Sequence, residues 1–302
     1  GTGAAGLFPG MTIGNVYFVD PANGNNSNSG DSPDNAVASI ASAYTLCTSG
    51  QNDVVVFIGG ATGNALTAAL TWSKSYTHLI GLSGDIGMGQ RCRVTGSTTA
   101  DLAVLVTFSG SGCIVRNIQF FNGTDVGTAA GAVTVSGERN EFTNCFFAGM
   151  GHATNAAVAG SFSLTVSGAE NTFRHCTVGL DTIVRAAANS ELIVSEARNT
   201  FEDCMLLSNS VTAGKFLVKI DNTLDLRWTL FKNCQFINYS TNYATGISNA
   251  FDMPASGNTH YVLLQNCALM GIGLGWADTV THLYSADPVP NAGFGISVAP
   301  TT

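Results

Sequence analysis

The sequence predicts an all-β solenoid of stacked coils, and three observations carry that prediction. The stretch Asn140-Glu141-Phe142-Thr143-Asn144-Cys145-Phe146-Phe147 recurs as Asn171 to Val178 and as Asn199 to Leu206, with looser copies at Thr229 to Phe236 and Val262 to Leu269. An earlier copy, Cys113 to Phe120, has isoleucine at the cysteine position. The anchors 118, 145, 176, 204, 234 and 267 are spaced by 27, 31, 28, 30 and 33 residues, a period of stacked supersecondary units. Third, only 11% of residues are charged and 35 of 302 are glycine, a mixture suited to short strands joined by tight turns.

Residues 1–15 are Gly-rich and lack periodicity, which reads as an N-terminal arm. Gly1-Thr2-Gly3-Ala4-Ala5-Gly6 matches G-x-G-x-x-G only formally, because no strand can precede it. Val16 to Asp20 is an expected strand, closed by the loop Pro21 to Gly30. Asp31-Ser32-Pro33-Asp34 then offers capping groups and a proline suited to a helix start. A helix is expected over about 36–48, with Val37, Ile40, Tyr44 and Cys47 on one face and Gly50 as its stop. Strands follow at Asp53 to Gly60, Thr77 to Leu82 and Arg91 to Val94.

Twelve and ten residues before successive anchors lie Val106/Phe108, Val133/Val135, Leu164/Val166 and Leu192/Val194, alternating as a strand with one buried face. At the fifth anchor only Leu224 keeps the position and at the sixth it is lost, so the solenoid is expected to fray or change section there. Three inward columns run through the motif. Val115, Phe142, Phe173, Phe201, Phe231 and Leu264 form the first; Ile118 with Cys145, Cys176, Cys204, Cys234 and Cys267 forms the second. Phe120, Phe147, Val178, Leu206, Phe236 and Leu269 complete the third. The first two columns are three residues apart, so alternation must break at a corner. The residue before each cysteine anchor (Asn117, Asn144, His175, Asp203, Asn233 or Asn266) is of a type that tolerates left-handed backbone. This column is the expected bend, with its asparagines stacking in a ladder. One position earlier, Arg174, Glu202 and Lys232 should stack as plus, minus, plus on the outer surface, each pair contributing less than about 1 kcal/mol.

The strand, Asn/Gly/Ser loop, capping helix and Val/Ile strand of residues 16–60, joined to the repeats, resemble the right-handed parallel β-helix proteins of the pectate-lyase-like superfamily. The resemblance implies a β-helix over 16–270 whose first coil is capped by the helix, and a cap or oligomer-contact tail over 271–302. The Gly-rich composition after Gly271 and Asp287-Pro288-Val289-Pro290 agree with an end to regular sheet.

Twenty acidic against twelve basic residues give a net charge of −8, which disfavours nucleic acid and anionic lipid as partners. No apolar run is long enough to span a membrane, and Gly1 to Gly6 lacks the features of a signal peptide. The eight cysteines show no metal-ligand spacing, and five share one repeat column, so buried free thiols are expected. Free thiols fit folding in a reducing cytosol.

A lyase of the resembling superfamily would need clustered acidic calcium ligands with an Arg or Lys base. A glycoside hydrolase would need two or three carboxylates within about 5–10 Å. Candidate groups are Asp181 with Asp203 and Glu202, and Glu196 with Asp221 and Asp225. The bend column accounts for Asp203 and the charge ladder for Glu202. The histidines 78, 152, 175, 260 and 282 are scattered, and His175 belongs to the bend. No G-x-S-x-G elbow occurs. Trp72, Trp228 and Trp276 could stack on sugars, although packing or subunit contact accounts for them more simply. Outward-facing Phe121 and Phe146 also suggest an oligomer contact.

The chain further resembles bacteriophage β-helix proteins in its low charge and Asn/Gly/Ser/Thr-rich loops. That resemblance implies a structural component of a tailed-bacteriophage virion, a capsid decoration or spike, with no enzymatic activity, metal or cofactor. Expected partners are copies of itself as a trimer, the major capsid protein and a surface glycan, with assembly in the host cytoplasm. The alternatives are a phage tailspike that cleaves polysaccharide, and a secreted carbohydrate-active enzyme or adhesin.

Overall fold

In the computed structural model, the described residues are 14–84, 87–89, 92–97, 99–125, 127–187, 190–211, 215–221, 227–239, 246–254, 260–273, 275–277 and 282–285. Most of the expected arm and much of the expected C-terminal tail, with Arg91, Leu224, Asp225 and Asp287, lie outside the described residues. The remainder is a right-handed parallel β-helix of three parallel sheets with ten, eight and eight strands, here called sheets A, B and C. One coil shows the plan. Thr172–Arg174 lies in sheet A, Thr177–Arg185 in sheet B and Ser190–Val194 in sheet C, and Asn199–Glu202 then returns to sheet A one coil later.

The inward columns are core as far as Leu269, which is only partly buried. Phe142, Phe173, Phe201 and Phe231 stack face to face with centroids 4.9, 4.7 and 4.9 Å apart, close to the strand spacing that parallel pairing imposes. All eight cysteines are free and buried, as the sequence predicts. Each thiol of the anchor column donates to a carbonyl of the preceding coil, as from Cys204 Sγ to Phe173 O at 3.4 Å and from Cys234 Sγ to Phe201 O at 3.3 Å. Burial pushes the Cys176, Cys204 and Cys234 thiols well above their ordinary range.

The corner between sheets A and B is the left-handed column. Asn117, Asn144, His175, Asp203, Asn233 and Asn266 all have φ between 50° and 58°. Their side chains do ladder: Asn144 donates to Asn117, Asn233 to Asp203 and Asn266 to Asn233, each at 2.9 Å. A second ladder lies buried at the corner from sheet C to sheet A. Asn199 Oδ1 accepts from Asn171 N and Asn171 Oδ1 from Asn140 N, each at 2.9 Å, satisfying turn amides that burial would otherwise orphan. The motif's leading asparagines thus have a structural task that the sequence reading left unassigned.

Three expectations are corrected. The capping helix is shorter than 36–48: a 3-10 turn Pro33–Asn35 precedes an α-helix Ile40–Leu46. Val37 instead bridges to Val19 as extended chain, and Ser39 caps the helix by accepting from Ser42 N. The sheet does not fray after the fourth anchor. Strands Phe216–Ile220 and Asn249–Asp252 continue sheet C, with Val218, Ile220 and Phe251 inward. Longer connections from sheet C to sheet A displace these residues from the spacing seen in earlier coils. Finally, Phe146 does not lie open on the outer surface, being only 4% exposed. Thr177, its register neighbour, donates its hydroxyl to Gly87 O, so the chain's own loop reaches that face.

Candidate functional site

Chemistry-bearing side chains converge in three places. The first is the outer face of sheet A, where the expected ladder extends further than the motif suggests. Arg116, Glu141, Arg174, Glu202 and Lys232 alternate in sign, with contacts of 2.8, 3.5, 3.2 and 2.6 Å between successive members. Hydrogen bonds from Lys232 and Arg174 hold the Glu202 carboxyl below its usual range. Glu141 is likewise lowered: burial opposes ionisation there, but the Arg116 guanidinium outweighs it. A general acid needs a raised carboxyl pKa, so neither group is suited to that role.

The second place was not anticipated. At the junction of sheets B and C, Arg185 and Glu191 form an ion pair with each side chain 1% exposed. Ser163 donates to Glu191 Oε2 at 2.6 Å, and Arg185 also reaches Ser208 Oγ at 3.0 Å. Burial pushes Glu191 up and Arg185 down, each opposed by the charge of the other. Gly179 makes room for the carboxyl: a Cβ there would lie 2.4 Å from Glu191 Cδ and 1.9 Å from Leu207 O. The pair is sealed from substrate and joins two sheets. The signal in the sequence is a lone glutamate in a register column that elsewhere holds Ala132, Ser163 and Leu217.

The third place is the outer face of sheet C, and it is the candidate site. Between the inward pairs, Thr71, Thr107, Thr134, Thr165 and Ile193 face outward in register, followed by Lys219 and Asp252 on the next two coils. Two residues on, Ser73, Ser109, Ser136, Ser167 and Ser195 precede Asp221 in the equivalent place. Four coils of this face are therefore hydroxyl-rich and uncharged, and charge then enters abruptly. Lys219 Nζ lies 3.4 Å from Asp221 Oδ1, with side chains 40% and 58% exposed. The residue in register with Lys219 on the following strand is Asp252. At the other edge of the same strands, Phe162, Ser190 and Phe216 are aligned on successive coils. Both rings are half-buried and stand apart from the main core cluster.

A carboxylate paired with an ammonium, with a second carboxylate in register on the next coil, can move a proton to or from a hydroxyl or water, while the cation stabilises a developing oxyanion. Rings set beside hydroxyl columns supply apolar area together with hydrogen-bonding partners, as ligand sites for amphipathic molecules do. Among the described residues no group of three or more His, Cys, Asp or Glu could hold a metal.

Of the candidates read from the sequence, Asp221 falls in this site. Asp203 belongs to the bend ladder and Glu202 to the charge ladder. Glu196 accepts from the backbone of Ala197, and the Asp181 backbone carbonyl holds Asn209. Lys219, Asp252, Phe162 and Phe216 were missed. The ladder residues Phe142 to Phe231, Cys145 to Cys267 and Asn144, Asn233 and Asn266 are structural.

By sequence, the chain matches no protein-family model and no curated protein. By structure it is similar to pectin methylesterase PemA from Erwinia chrysanthemi, with a TM-score of 0.59 and 16% identity over 91% of this chain and 88% of the other. A pectin methylesterase in complex with a hexasaccharide gives a TM-score of 0.57 at 16% identity, covering 91% and 88%. Pectate lyase Pel9A gives 0.57 at 16% identity, covering 91% and 75%. At these identities the likeness establishes the fold alone, a right-handed parallel β-helix. It overturns the expectation of a bacteriophage virion component with no enzymatic activity, because the solved structures matching nearly the whole chain are enzymes named for polysaccharide substrates.

Proposed function

We propose that this chain is a polysaccharide-modifying enzyme that binds its glycan along the outer face of sheet C. Lys219, Asp221 and Asp252 would carry the chemistry, and Phe162 and Phe216 the sugar platform. The observation that carries this reading is the meeting of the Lys219–Asp221 pair and Asp252 at the end of an uncharged hydroxyl face. A structural surface gains little from such a pair, since an exposed ion pair contributes about 0–1 kcal/mol. A glycan on this face would present hydroxyls to the threonine and serine columns and apolar ring faces to the two phenylalanines. The enzymes sharing the fold support the substrate class.

The roles follow from position. One aspartate serves as proton acceptor, Lys219 holds negative charge that develops on the reacting oxygen, and the partner aspartate keeps the ammonium in place. The test is turnover of a panel of plant and microbial polysaccharides, reading new reducing ends, released methanol and unsaturated products separately. Phe216→Ala should raise KM, while Asp221→Asn and Asp252→Asn should lower kcat with little change in melting temperature. Wild-type turnover that survives both aspartate substitutions would place the chemistry elsewhere.

A further inference from the structure

A separate feature lies on sheet A near its last strands. The outer face of Trp228–Lys232 places Trp228 directly in register with Tyr261 of the next coil. Tyr284 follows one coil further, displaced along the strand to the level of Leu263, with its ring 5.7 Å from that of Tyr261. These rings are not core: Trp228 is 37% exposed, Tyr261 39% and Tyr284 49%, whereas Trp72 and Trp276 are buried. Leu263, in register with Tyr284, is 37% exposed. Exposed aromatics grouped on neighbouring coils of one face require an explanation in a way that single ones do not.

We propose that this row is a second glycan-binding surface, an anchoring site on sheet A distinct from the reacting site on sheet C. It rests on the polysaccharide reading above. The ligand is a single polysaccharide chain lying along the solenoid axis, in line with the rings. Charge decides between that occupant and a second copy of the protein. The ring row starts four residues from Lys232, which at ~3.3 Å per residue is about 13 Å along the strand. Lys232, Glu202 and Arg174 form the ladder there, and Arg227 is exposed beside Trp228. A stable protein interface covers about 800 Å² per partner, a patch roughly 28 Å across, and one centred on the rings would bury those charges. Taking such ions out of water costs several kcal/mol each. A sugar chain one residue wide covers the rings and leaves the ladder wet. Tyrosine and tryptophan suit this task because an apolar ring face ends in a polar tip.

The experiment measures adsorption of the full chain to insoluble cellulose, xylan, mannan and de-esterified pectin, alongside turnover of a soluble oligosaccharide of whichever polysaccharide is cleaved. Trp228→Ala and Tyr261→Ala should each weaken adsorption roughly three- to tenfold. Trp228→Phe should restore most of it, and soluble-substrate kcat should stay unchanged in all three. Asp221→Asn should do the reverse, abolishing turnover while leaving adsorption intact. Adsorption unaffected by the ring substitutions overturns the anchoring site while the sheet C reading stands. Wild-type self-association in sedimentation that Trp228→Ala abolishes also overturns it, in favour of a copy-to-copy contact. Failure of the wild type to adsorb to any of the four polysaccharides overturns it outright.

Discussion

Replacing Phe173 with alanine tests whether the stacked phenylalanine column holds the coils together. The ring is fully buried, stacked on Phe142 at 4.9 Å and on Phe201 at 4.7 Å, with Phe147 edge-on at 6.1 Å. Truncating a buried phenylalanine to alanine costs about 3–5 kcal/mol in lost transfer energy and cavity. Collapse of the void is limited here because the neighbouring rings are held at the strand spacing by parallel pairing on both sides. The upper half of that range is therefore expected, about 4–5 kcal/mol. Phe173→Leu keeps most of the volume but loses the ring contacts, and should cost roughly 1–2 kcal/mol. Urea denaturation followed by far-ultraviolet circular dichroism measures both. A loss below about 1 kcal/mol for Phe173→Ala would refute the argument, because a ring that can be deleted at that cost is not wedged between its neighbours.

Three further outcomes follow from the interior. All eight cysteines are buried and free, so an aromatic disulfide reagent should find no reactive thiol in the native protein and eight after denaturation; reaction of several thiols in the fold would show that the coils open. Arg185→Met leaves Glu191 buried and unpaired and should destabilise by about 3–5 kcal/mol, while Arg185→Met with Glu191→Leu should recover most of that loss; equal instability of the single and double variants would mean that lost packing, not charge, is responsible. Burial holds His78 and His260 down at about 4, against an ordinary value of 6.5. His78 accepts from Ile114 N through Nδ1, which a proton would block. Both imidazoles fold neutral, so their contribution is complete above about pH 6.5 and is lost as pH falls towards 4, about 3 kcal/mol for each. Flat stability from pH 7 to 4.5 would contradict this.

The parts of the fold legible in the sequence are those that every coil repeats. A phenylalanine must meet a phenylalanine one coil away, an anchor thiol must meet a carbonyl, and a corner must have a residue that accepts φ near 55°. Each requirement writes a column, and columns survive changes in loop length as long as the strand itself can be recognised. The later strands of sheet C lost that anchor because their connections lengthen, which hid Val218 and Phe251. With them went Lys219 and Asp252, whose positions are defined only relative to those inward neighbours. The candidate site was also illegible for a deeper reason. Its charged residues occur once each and depart from a threonine and serine pattern, so no period announces them. Glu191 and Arg185 were hidden likewise, since six residues of chain do not reveal that both point into the same dry corner. The expectation of a passive protein arose partly because Asp221 was grouped with Glu196 and Asp225 and not with Asp252, although Asp221 and Asp252 lie 31 residues apart, within the coil period.

The account's central claim is that the outer face of sheet C does chemistry on a polysaccharide, and turnover by matched proteins tests it most directly. Purified wild type, Asp221→Asn and Asp252→Asn should first be shown to share a melting temperature. Each is then incubated with the polysaccharide panel, and products are resolved by mass spectrometry. The account predicts shortened, de-esterified or unsaturated products from the wild type and at least a hundredfold less from either variant, a loss of about 2.7 kcal/mol of transition-state stabilisation. Products formed equally by all three proteins, or by none of them on any polysaccharide, would contradict it.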